Sequence, residues 1–364
     1  MSKKIKVGVI GVGNCFAGLI QGIEYYKKQQ SKEIIGLMHK KIGLYNFDDI
    51  EFSSAFDVGK NKVGKSLDKA VFASPNMVNW TKLSKLKTIV KEAPILDGIG
   101  IFVENKINPT KNRKPIENLK REIESEIKKT GTEILINYLP VGSQKATEFW
   151  ANIALRTKCA FINCIPVFIA SDKNWVKKFE REKIPTIGDD IKSQIGATIV
   201  HRVLARLCSD RGAKIDRTYQ INVGGNTDFL NMKEQQRLES KKVSKTEAVT
   251  SQLKERMNLE NIYIGPSDFI PFLENTKLAF IRIDGKMFAD IPFSIELRLN
   301  VDDKANSAGI VIDAIRLAKL ALDRKIGGSL ISASAYLMKR PLQQFTDEKA
   351  REMVEEFILG RKER

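Results

Sequence analysis

The chain has 364 residues, 42% of them hydrophobic and 29% charged, which is typical of a soluble globular protein with ample core for two domains or one large one. It contains no run of about 18 apolar residues that could span a membrane. No small-residue cleavage site follows its basic, apolar N-terminus, so we expect a cytoplasmic protein without a membrane partner.

The net charge of +17 would suit a nucleic-acid-binding protein. However, the basic residues are mixed with 44 acids along the chain, and the densest basic cluster, residues 106–121, offers no aromatic side chain for base stacking. We therefore expect no nucleic-acid partner. The Lys-, Glu- and Ile-rich composition with only two histidines fits a thermophile. The four cysteines form no Cys-x-x-Cys pair, so we expect reduced thiols.

The N-terminal segment predicts a dinucleotide site. The apolar run Ile5–Ile10 reads as a strand, the turn GVGNC follows, and a helical pattern comes next. In this context Gly11 makes the tight turn, Gly13 lets the backbone approach a pyrophosphate, and the helix N-terminus favours the anion. Phe16 departs from the motif, which has Gly or Ala at this point.

A second strand is predicted at residues 51–57, ending in Asp57, which could accept hydrogen bonds from an adenosine ribose. Residues 31–50 then form an insertion, which we expect to be a loop near the cofactor. Further strands are predicted at residues 95–103, 133–139 and 160–169, alternating with helices at 116–129 and 146–156. This alternation favours a Rossmann-like, doubly wound parallel sheet with ligand-binding loops at the carboxyl ends of its strands.

The pattern changes after Asp190. We expect a helix over 191–212, a hairpin over 279–288 that turns at Asp284–Gly285, and a strand over 295–301. These elements predict an inserted α+β domain with an open antiparallel sheet. An apolar helix over 308–322 and a last helix capped by Thr346 return to the first domain. We divide the chain into residues 1–195 plus 311–364, and residues 196–310.

The segment 221–250 combines a Gly-Gly turn, two amides, an acid and four lysines, a composition suited to binding a phosphosugar. Within it, Ser244–Glu247 matches a capping box. This predicts a helix that starts at Lys245 and leaves Lys241 in the preceding loop, where helix N–H groups and lysines would surround an anion. Lys242 is expected to be solvated.

Eight segments, in chain order, resemble the inositol-1-phosphate synthase (myo-inositol-3-phosphate synthase) family of the prokaryotic type. They are GVGNC at 11–15, EFSSAFDVGKNKVGK at 51–65, NYLPVGS at 137–143, DDIKSQIGAT at 189–198, DRGAKIDRTYQINVGGNTDFLNM at 210–232, LESKKVSKT at 238–246, NTKLAFIRIDG at 275–285 and YLMKRPL at 336–342.

The resemblance implies conversion of D-glucose 6-phosphate to an inositol monophosphate, for inositol and phospholipid biosynthesis. Oxidation at carbon 5 by NAD acidifies the carbon 6 protons, an enolate closes the ring on the carbon 1 aldehyde, and re-reduction follows. The net redox change is zero, so the enzyme is an isomerase. These steps need a base, cations for the enolate and alkoxide, and a phosphate clamp, and lysines can fill all three roles.

Carried over by position, the resemblance implies three sets of site residues in this chain. The catalytic set is Lys241, Lys245, Lys277, Lys339 and Asp313, of which Asp313 is expected beside the nicotinamide and the lysines. The substrate-binding set is Asp190, Ser193, Asn222, Asn226 and Asp228. The cofactor-binding set is Gly11, Gly13, Asn14, Cys15, Asp57, Asn137 and Pro140.

The family also implies a homotetramer formed through the inserted domain. The cation that stabilises the enolate is left open between a divalent metal ion, a monovalent cation and the lysines themselves, and no His/Cys cluster with metal-ligand spacing is present. Two alternatives are kept. One is a net NAD(P)-dependent dehydrogenase of the homoserine dehydrogenase type, which would accumulate NADH, and the other is a basic nucleic-acid-binding protein, which would bind DNA in a salt-dependent way.

Overall fold

The computed structural model describes residues 4–29, 33–111, 114–253 and 257–364. Its strands are β1 (Ile5–Ile10), β2 (Ile50–Asp57), β3 (Val90–Glu92), β4 (Ile134–Asn137), β5 (Ala160–Asn163), β6 (Pro185–Ile187), β7 (Lys214–Gly224), β8 (Ile262–Phe269), β9 (Thr276–Lys286), β10 (Pro292–Asp302) and β11 (Gly328–Ser329). Its helices are α1 (Asn14–Gln29), α2 (Leu67–Ala70), α3 (Glu104–Ile107), α4 (Ile116–Thr130), α5 (Gln144–Thr157), α6 (Lys173–Arg181), α7 (Ala197–Asp210), α8 (Thr227–Asn231), α9 (Glu239–Thr250), α10 (Ala305–Asp323), α11 (Ile331–Leu337) and α12 (Asp347–Ile358).

The first sheet is parallel throughout and has the order β11-β6-β5-β4-β1-β2-β3. All four residues of β4 and of β5 are buried, as expected for strands covered by helices on both faces. The strand order reverses between β1 and β4, and ligands bind in the crevice that such a reversal creates at the carboxyl ends of the strands. The Rossmann-like prediction is confirmed.

One strand prediction for the first sheet is wrong. Residues 95–103 form turns rather than a strand, and the edge strand is β3 at Val90–Glu92. In the predicted loop over 31–50, residues 33–46 contain no helix or strand, do not line the cleft and pack against α10, while residues 31–32 lie outside the described residues. A Cβ added at Gly309 would lie 1.9 Å from the Gly36 carbonyl oxygen, so the loop and the helix touch through their backbones.

The second sheet has the order β10-β9-β7-β8. The pairs β10–β9 and β9–β7 are antiparallel, as predicted, but β7–β8 is parallel because α8 and α9 form a crossover between these two strands. The predicted turn at Asp284–Gly285 is wrong, since β9 continues through both residues. The chain turns at Ala289 and Asp290, which have φ of 62° and 59°.

Helices α7 and α9 cover one face of the second sheet, where Ala205 and Val249 pack in one cluster with Ile264 of β8. Helix α10 packs under the first sheet, and the Thr346 hydroxyl accepts a hydrogen bond from the Lys349 N–H to start α12. Helix α12 packs against α11, and its Val354 and Phe357 belong to the same hydrophobic core as α10. None of the helices in the described part of the chain has the length and apolar character required to cross a membrane.

Candidate active site

A cleft opens at the carboxyl ends of β1, β4 and β5 and is closed on its other side by α8, α9, the start of β9 and the start of α10. Of the residues predicted for the site, it is lined by Gly11, Gly13, Asn14, Cys15, Asp57, Pro140, Asp190, Ser193, Asp228, Lys241, Lys245, Lys277 and Lys339.

The glycine turn forms one end of the cleft. Gly11 has φ of +89°, and a Cβ there would lie 3.0 Å from the Tyr138 carbonyl oxygen, so only glycine fits. A Cβ at Gly13 would meet no atom within 4 Å, which leaves open space for a ligand to approach the backbone. Helix α1 begins directly afterwards, and the first N–H groups of a helix have no intrahelical partner. This turn fits the phosphates of a dinucleotide.

Asp57 lies at the end of β2 and holds the glycine turn in place. Its Oδ2 accepts a 2.8 Å hydrogen bond from the Val12 N–H, and its Oδ1 accepts bonds of 2.8 Å from the N–H groups of Val58 and Gly59. Both oxygens are therefore engaged by backbone before any ribose binds. A ribose contact would have to use the remaining lone pairs.

Asn137 was predicted to bind the cofactor, but it does not line the cleft. Its fully buried amide donates to Asn163 at 2.9 Å and to Thr147 at 3.2 Å, and its oxygen accepts from the Leu139 N–H at 3.2 Å. Asn137 thus shapes the loop that carries Pro140. The cofactor contact of Asn137 stays a prediction.

The four predicted lysines converge on the cleft from three separate segments. Lys241 and Lys245 lie on α9, Lys277 lies near the start of β9, and Lys339 follows α11. The capping-box prediction is wrong because α9 already starts at Glu239. Both α9 lysines are therefore fixed on one regular helix, one turn apart, where i and i+4 side chains share a face.

Asp190 receives two hydrogen bonds that hold Lys339 and α9 together. The Lys339 ammonium donates to Oδ1 at 2.8 Å, and the Ser244 hydroxyl of α9 donates to Oδ2. The Asp190 backbone has a φ of +61° and exchanges further bonds with the chain around Lys339. Burial lowers the pKa of Lys339, although Asp190 opposes this effect.

Lys245 differs from the other lysines of the cleft. It is 4% exposed, and no carboxylate lies within ion-pair distance of it in the part of the chain that the structure describes. Burial first, and then the positive charges of Lys241, Lys277 and Lys339, hold the pKa of Lys245 well below its usual range. A neutral amine at this position can accept a proton.

Asp228 and Asp303 pair with the remaining lysines. The Lys241 ammonium lies 3.5 Å from Asp228, while Asp303 accepts from Lys277 at 3.0 Å and from Lys304 at 3.1 Å. Burial alone would raise the pKa of the Asp303 carboxyl, but the two ammonium groups outweigh it and hold that pKa well below its usual range. The pKa of Asp228 is lowered in the same way, against its burial, by Lys241 and Lys304.

A small pocket continues the cleft at the N-terminus of α7. Its lining is Ser193, Gly196, Ala197, Thr198, Ile199, Gln220, Asn222, Lys245, Lys277 and Lys339. The residue before the helix is Gly196, which provides no side-chain cap. Helix N–H groups and three lysines thus face the same space, an arrangement suited to a phosphate.

Of the two predicted amides, only Asn222 lies at this pocket. Asn222 is 1% exposed, lines the pocket, and donates to the Gly265 carbonyl at 2.6 Å. Asn226 caps α8 by accepting from the N–H groups of Asp228 and Phe229, and it does not line either cavity. Its buried Nδ2 has no partner within the described residues. Asn226 therefore orients Asp228 rather than facing the cleft itself.

Asp313 is not part of the cleft, contrary to the prediction. It is fully buried in α10, where Arg316 donates to its Oδ1 and His39 lies 2.5 Å from its Oδ2. The acid thus neutralises a buried arginine and holds the 33–46 loop against α10. Asp303, ten positions earlier, lies beside Lys277 and Lys304 instead.

Sequence reasoning missed three residues of the site, Ser244, Asp303 and Lys304. One signal was available: the pair Asp302–Asp303 directly follows an alternating strand, and strand ends carry ligand-facing loops. The register itself, which sets Val301 opposite Lys277, could not be read from one strand alone. Within the described residues, no group of three or more His, Cys, Asp or Glu side chains is arranged to hold a metal ion.

Residues 196–304 match the family model for myo-inositol-1-phosphate synthase. The chain is 48% identical over 361 residues to inositol-3-phosphate synthase of Mycobacterium tuberculosis, covering 99% of this chain and 97% of the relative. It is also 48% identical over 362 residues to inositol-3-phosphate synthase of Corynebacterium glutamicum, covering 98% of both.

Among solved structures, a myo-inositol-1-phosphate synthase-related protein from Thermotoga maritima has the same fold, with a TM-score of 0.84, 23% identity and 98% coverage of each chain. This structural similarity shows the fold alone, whereas the full-length relatives at 48% identity show the family. The resemblance expected from the eight sequence segments is confirmed, and the chain belongs to the inositol-3-phosphate synthase family.

Proposed function

We propose that the cleft converts D-glucose 6-phosphate into inositol 3-phosphate with NAD that is regenerated in each turnover. The overall conversion, an isomerisation, follows from membership of the family. The division of labour among the side chains is our proposal, and one observation carries it. Four buried or half-buried lysines from separate segments meet in one cleft whose other end is a glycine turn.

The dinucleotide would be held by the glycine turn and the N-terminus of α1. The open space beside Gly13 and the positive φ of Gly11 support this assignment. Asn14, Cys15 and Pro140, which line the cleft near the turn, would contact the dinucleotide, while Asp57 fixes the turn and offers its remaining lone pairs to the ribose. Bound NAD supplies reversible oxidation at carbon 5 of the substrate.

The phosphate of the substrate would bind in the pocket at the N-terminus of α7. Ser193 and the first N–H groups of the helix provide donors, and Lys277 provides a positive charge. Asn222 closes the floor of the pocket. Anchoring the phosphate here would fix the sugar chain so that its reacting carbons reach the other lysines, because holding the reactants removes much of the entropic cost of ring closure.

Lys245 is the base in this proposal. In this role its Nζ takes a proton from carbon 6 once carbon 5 has become a ketone, since burial and the neighbouring ammonium groups favour the uncharged amine. The enolate oxygen that results is stabilised by the ammonium groups of Lys339 and Lys241, which Asp190 and Asp228 hold in position. After the enolate carbon attacks carbon 1, a proton must reach the new alkoxide, and the same ammonium groups can donate it.

Purified protein incubated with NAD and glucose 6-phosphate tests the proposal. Phosphorus NMR should show an inositol phosphate while the NADH absorbance stays flat. An NADH signal that rises in step with substrate loss would instead favour the dehydrogenase alternative. The additional metal or monovalent cation stays a prediction, and adding a chelator or varying the ammonium concentration in the same assay tests it.

We also propose that residues 196–310 form the oligomerisation unit of a homotetramer. The support is a partly apolar face of the second sheet, where Tyr219, Tyr263 and Phe280 remain 36%, 55% and 39% exposed on adjacent strands. Exposed aromatic side chains grouped on one face are typical of an interface. Analytical ultracentrifugation of the protein and of a Tyr263→Glu variant tests this, with smaller species expected for the variant.

A further inference from the structure

Lys304 also lines the cleft, beside the four lysines predicted for the site. It directly precedes α10, its side chain is 2% exposed, and it faces the glycine turn. Its ammonium lies 3.7 Å from the Cys15 sulfur, in the first turn of α1. A Cβ added at Gly18 would lie 3.3 Å from the Lys304 Cβ, so close packing against α1 fixes the position of Lys304.

The charges around Lys304 do not cancel. Asp303 is shared between Lys277 and Lys304, one on each carboxylate oxygen, which leaves two ammonium groups for one carboxylate. The next acid, Asp228, lies 3.5 Å from Lys241 and also favours the charged form of Lys304, so three ammonium groups face two carboxylates. Burial raises the pKa of the Cys15 thiol, so the sulfur is uncharged near neutral pH and brings no counter-charge.

This buried cluster of three ammonium groups and two carboxylates beside a helix N-terminus carries an excess positive charge, which favours binding of an anion because burying an unbalanced charge is costly. The ligand expected beside this turn is a dinucleotide, whose pyrophosphate is an anion. We propose that Lys304 is a positioning residue for NAD, which adds positive charge beside the glycine turn and ties that turn to the catalytic Lys277 through Asp303. This inference rests on the use of NAD in the proposed function.

Calorimetric titration of NAD into the protein without substrate tests the inference. The informative variant is Lys304→Gln, which removes the charge but keeps a donor for Asp303. We expect NAD to bind about tenfold more weakly, which corresponds to roughly 1.4 kcal/mol. Lys304→Arg should remain within about threefold of the wild type, because it restores the charge. Lys242→Gln, on the exposed side of α9, is the matched control and should bind like the wild type.

Unchanged NAD affinity in Lys304→Gln, or a Lys304→Arg variant as weak as Lys304→Gln, would overturn the inference. Thermal unfolding of each variant is measured in parallel, and Lys304→Met replaces Lys304→Gln if the latter does not fold. If neither neutral variant folds while Lys304→Arg does, the charge is structural and the assignment is wrong. A wild-type protein that binds no NAD or forms no inositol phosphate would instead overturn the proposed function.

Discussion

The Lys339 ammonium donates a 2.8 Å hydrogen bond to Asp190, a residue 149 positions earlier in the chain. Asp190 is buried and also accepts from the Ser244 hydroxyl, so one carboxylate joins the segment after β6, the segment after α11 and helix α9. Two of the proposed catalytic segments are thus held in a fixed relation by a single side chain. This geometry makes Ser244 a positioning residue for Lys339.

Replacing Ser244 with Ala should lower kcat about tenfold, since a hydrogen bond to a charged group contributes roughly 1.5–3 kcal/mol and only part of that is expressed in the transition state. Ser244→Thr keeps the hydroxyl and should recover part of the rate. Ser240→Ala on the same helix is the control and should turn over like the wild type. A Ser244→Ala variant with unchanged kcat would show that Asp190 holds Lys339 without help.

Asp303→Asn and Asp313→Asn should have different effects. Asp303→Asn removes the carboxylate shared by Lys277 and Lys304. We expect kcat to fall by about two or more orders of magnitude, which is the loss in kcat typical of removing one oxyanion-stabilising group. Asp313→Asn leaves the buried Arg316 uncompensated and should lower the free energy of unfolding by about 3 kcal/mol.

Urea unfolding and steady-state kinetics on the same preparations separate the two effects. The folded fraction of Asp313→Asn should keep a kcat within about twofold of the wild type, because the residue lies outside the cleft. If Asp313→Asn is instead stable and inactive, the original expectation of a catalytic Asp313 would be restored.

The two glycines of the turn should respond differently to substitution. Gly13→Val places a side chain in open space, so thermal stability should stay close to that of the wild type while NAD affinity falls at least tenfold. Gly11→Ala combines a φ of +89° with a 3.0 Å approach to the Tyr138 oxygen and should destabilise the protein by about 1–3 kcal/mol. Calorimetry with NAD and thermal unfolding measure both effects. Equal loss of NAD binding and of stability in Gly13→Val would argue against a ligand beside this turn.

His201 should make stability depend on pH. It is fully buried between α7 and β7, where the Thr218 hydroxyl donates to the Arg282 carbonyl and therefore accepts from the imidazole. Burial lowers the pKa of His201 from 6.5 to about 4. Because the unfolded chain takes up this proton at higher pH than the native protein does, stability from this group is complete above pH 6.5 and is lost as the pH falls toward 4.

The loss over this window should reach roughly 3 kcal/mol at about 1.4 kcal/mol per pKa unit. Urea unfolding across the window measures it, and His201→Gln should flatten the dependence while keeping a donor for Thr218. A slope that is the same in His201→Gln and in the wild type would show that other groups dominate acid sensitivity.

The sequence predicted the parts of the site that depend on local pattern. Strand β1 matches its predicted bounds, Ile5–Ile10, and the Gly11 turn follows where the motif placed it, because these features are written in consecutive residues. The prediction that the four lysines belong to one site came from the family resemblance. No periodicity connects Lys277 with Lys339, which only tertiary packing brings together.

The wrong predictions concern features that depend on strand register and on which face of a helix a residue occupies. Asp313 and Asp303 stand ten residues apart, and only the observed packing of α10 shows that the first faces Arg316 and His39, away from the cleft. Asp303 reaches Lys277 because β10 pairs with β9 so that Asp302 lies opposite Thr276. Residues 95–103 are apolar enough for a strand, but Gly98 and Gly100 lie in turns that contribute to the wall of the cleft.

Nitrogen NMR of protein labelled at the lysine side chains shows whether Lys245 is the neutral base of the cleft. We expect one lysine to lose its proton well below the usual lysine range, with a signal that is absent from Lys245→Met but present in Lys242→Met. If every lysine titrates in the ordinary range, or if the early-titrating signal survives in Lys245→Met, the assignment of the base is contradicted.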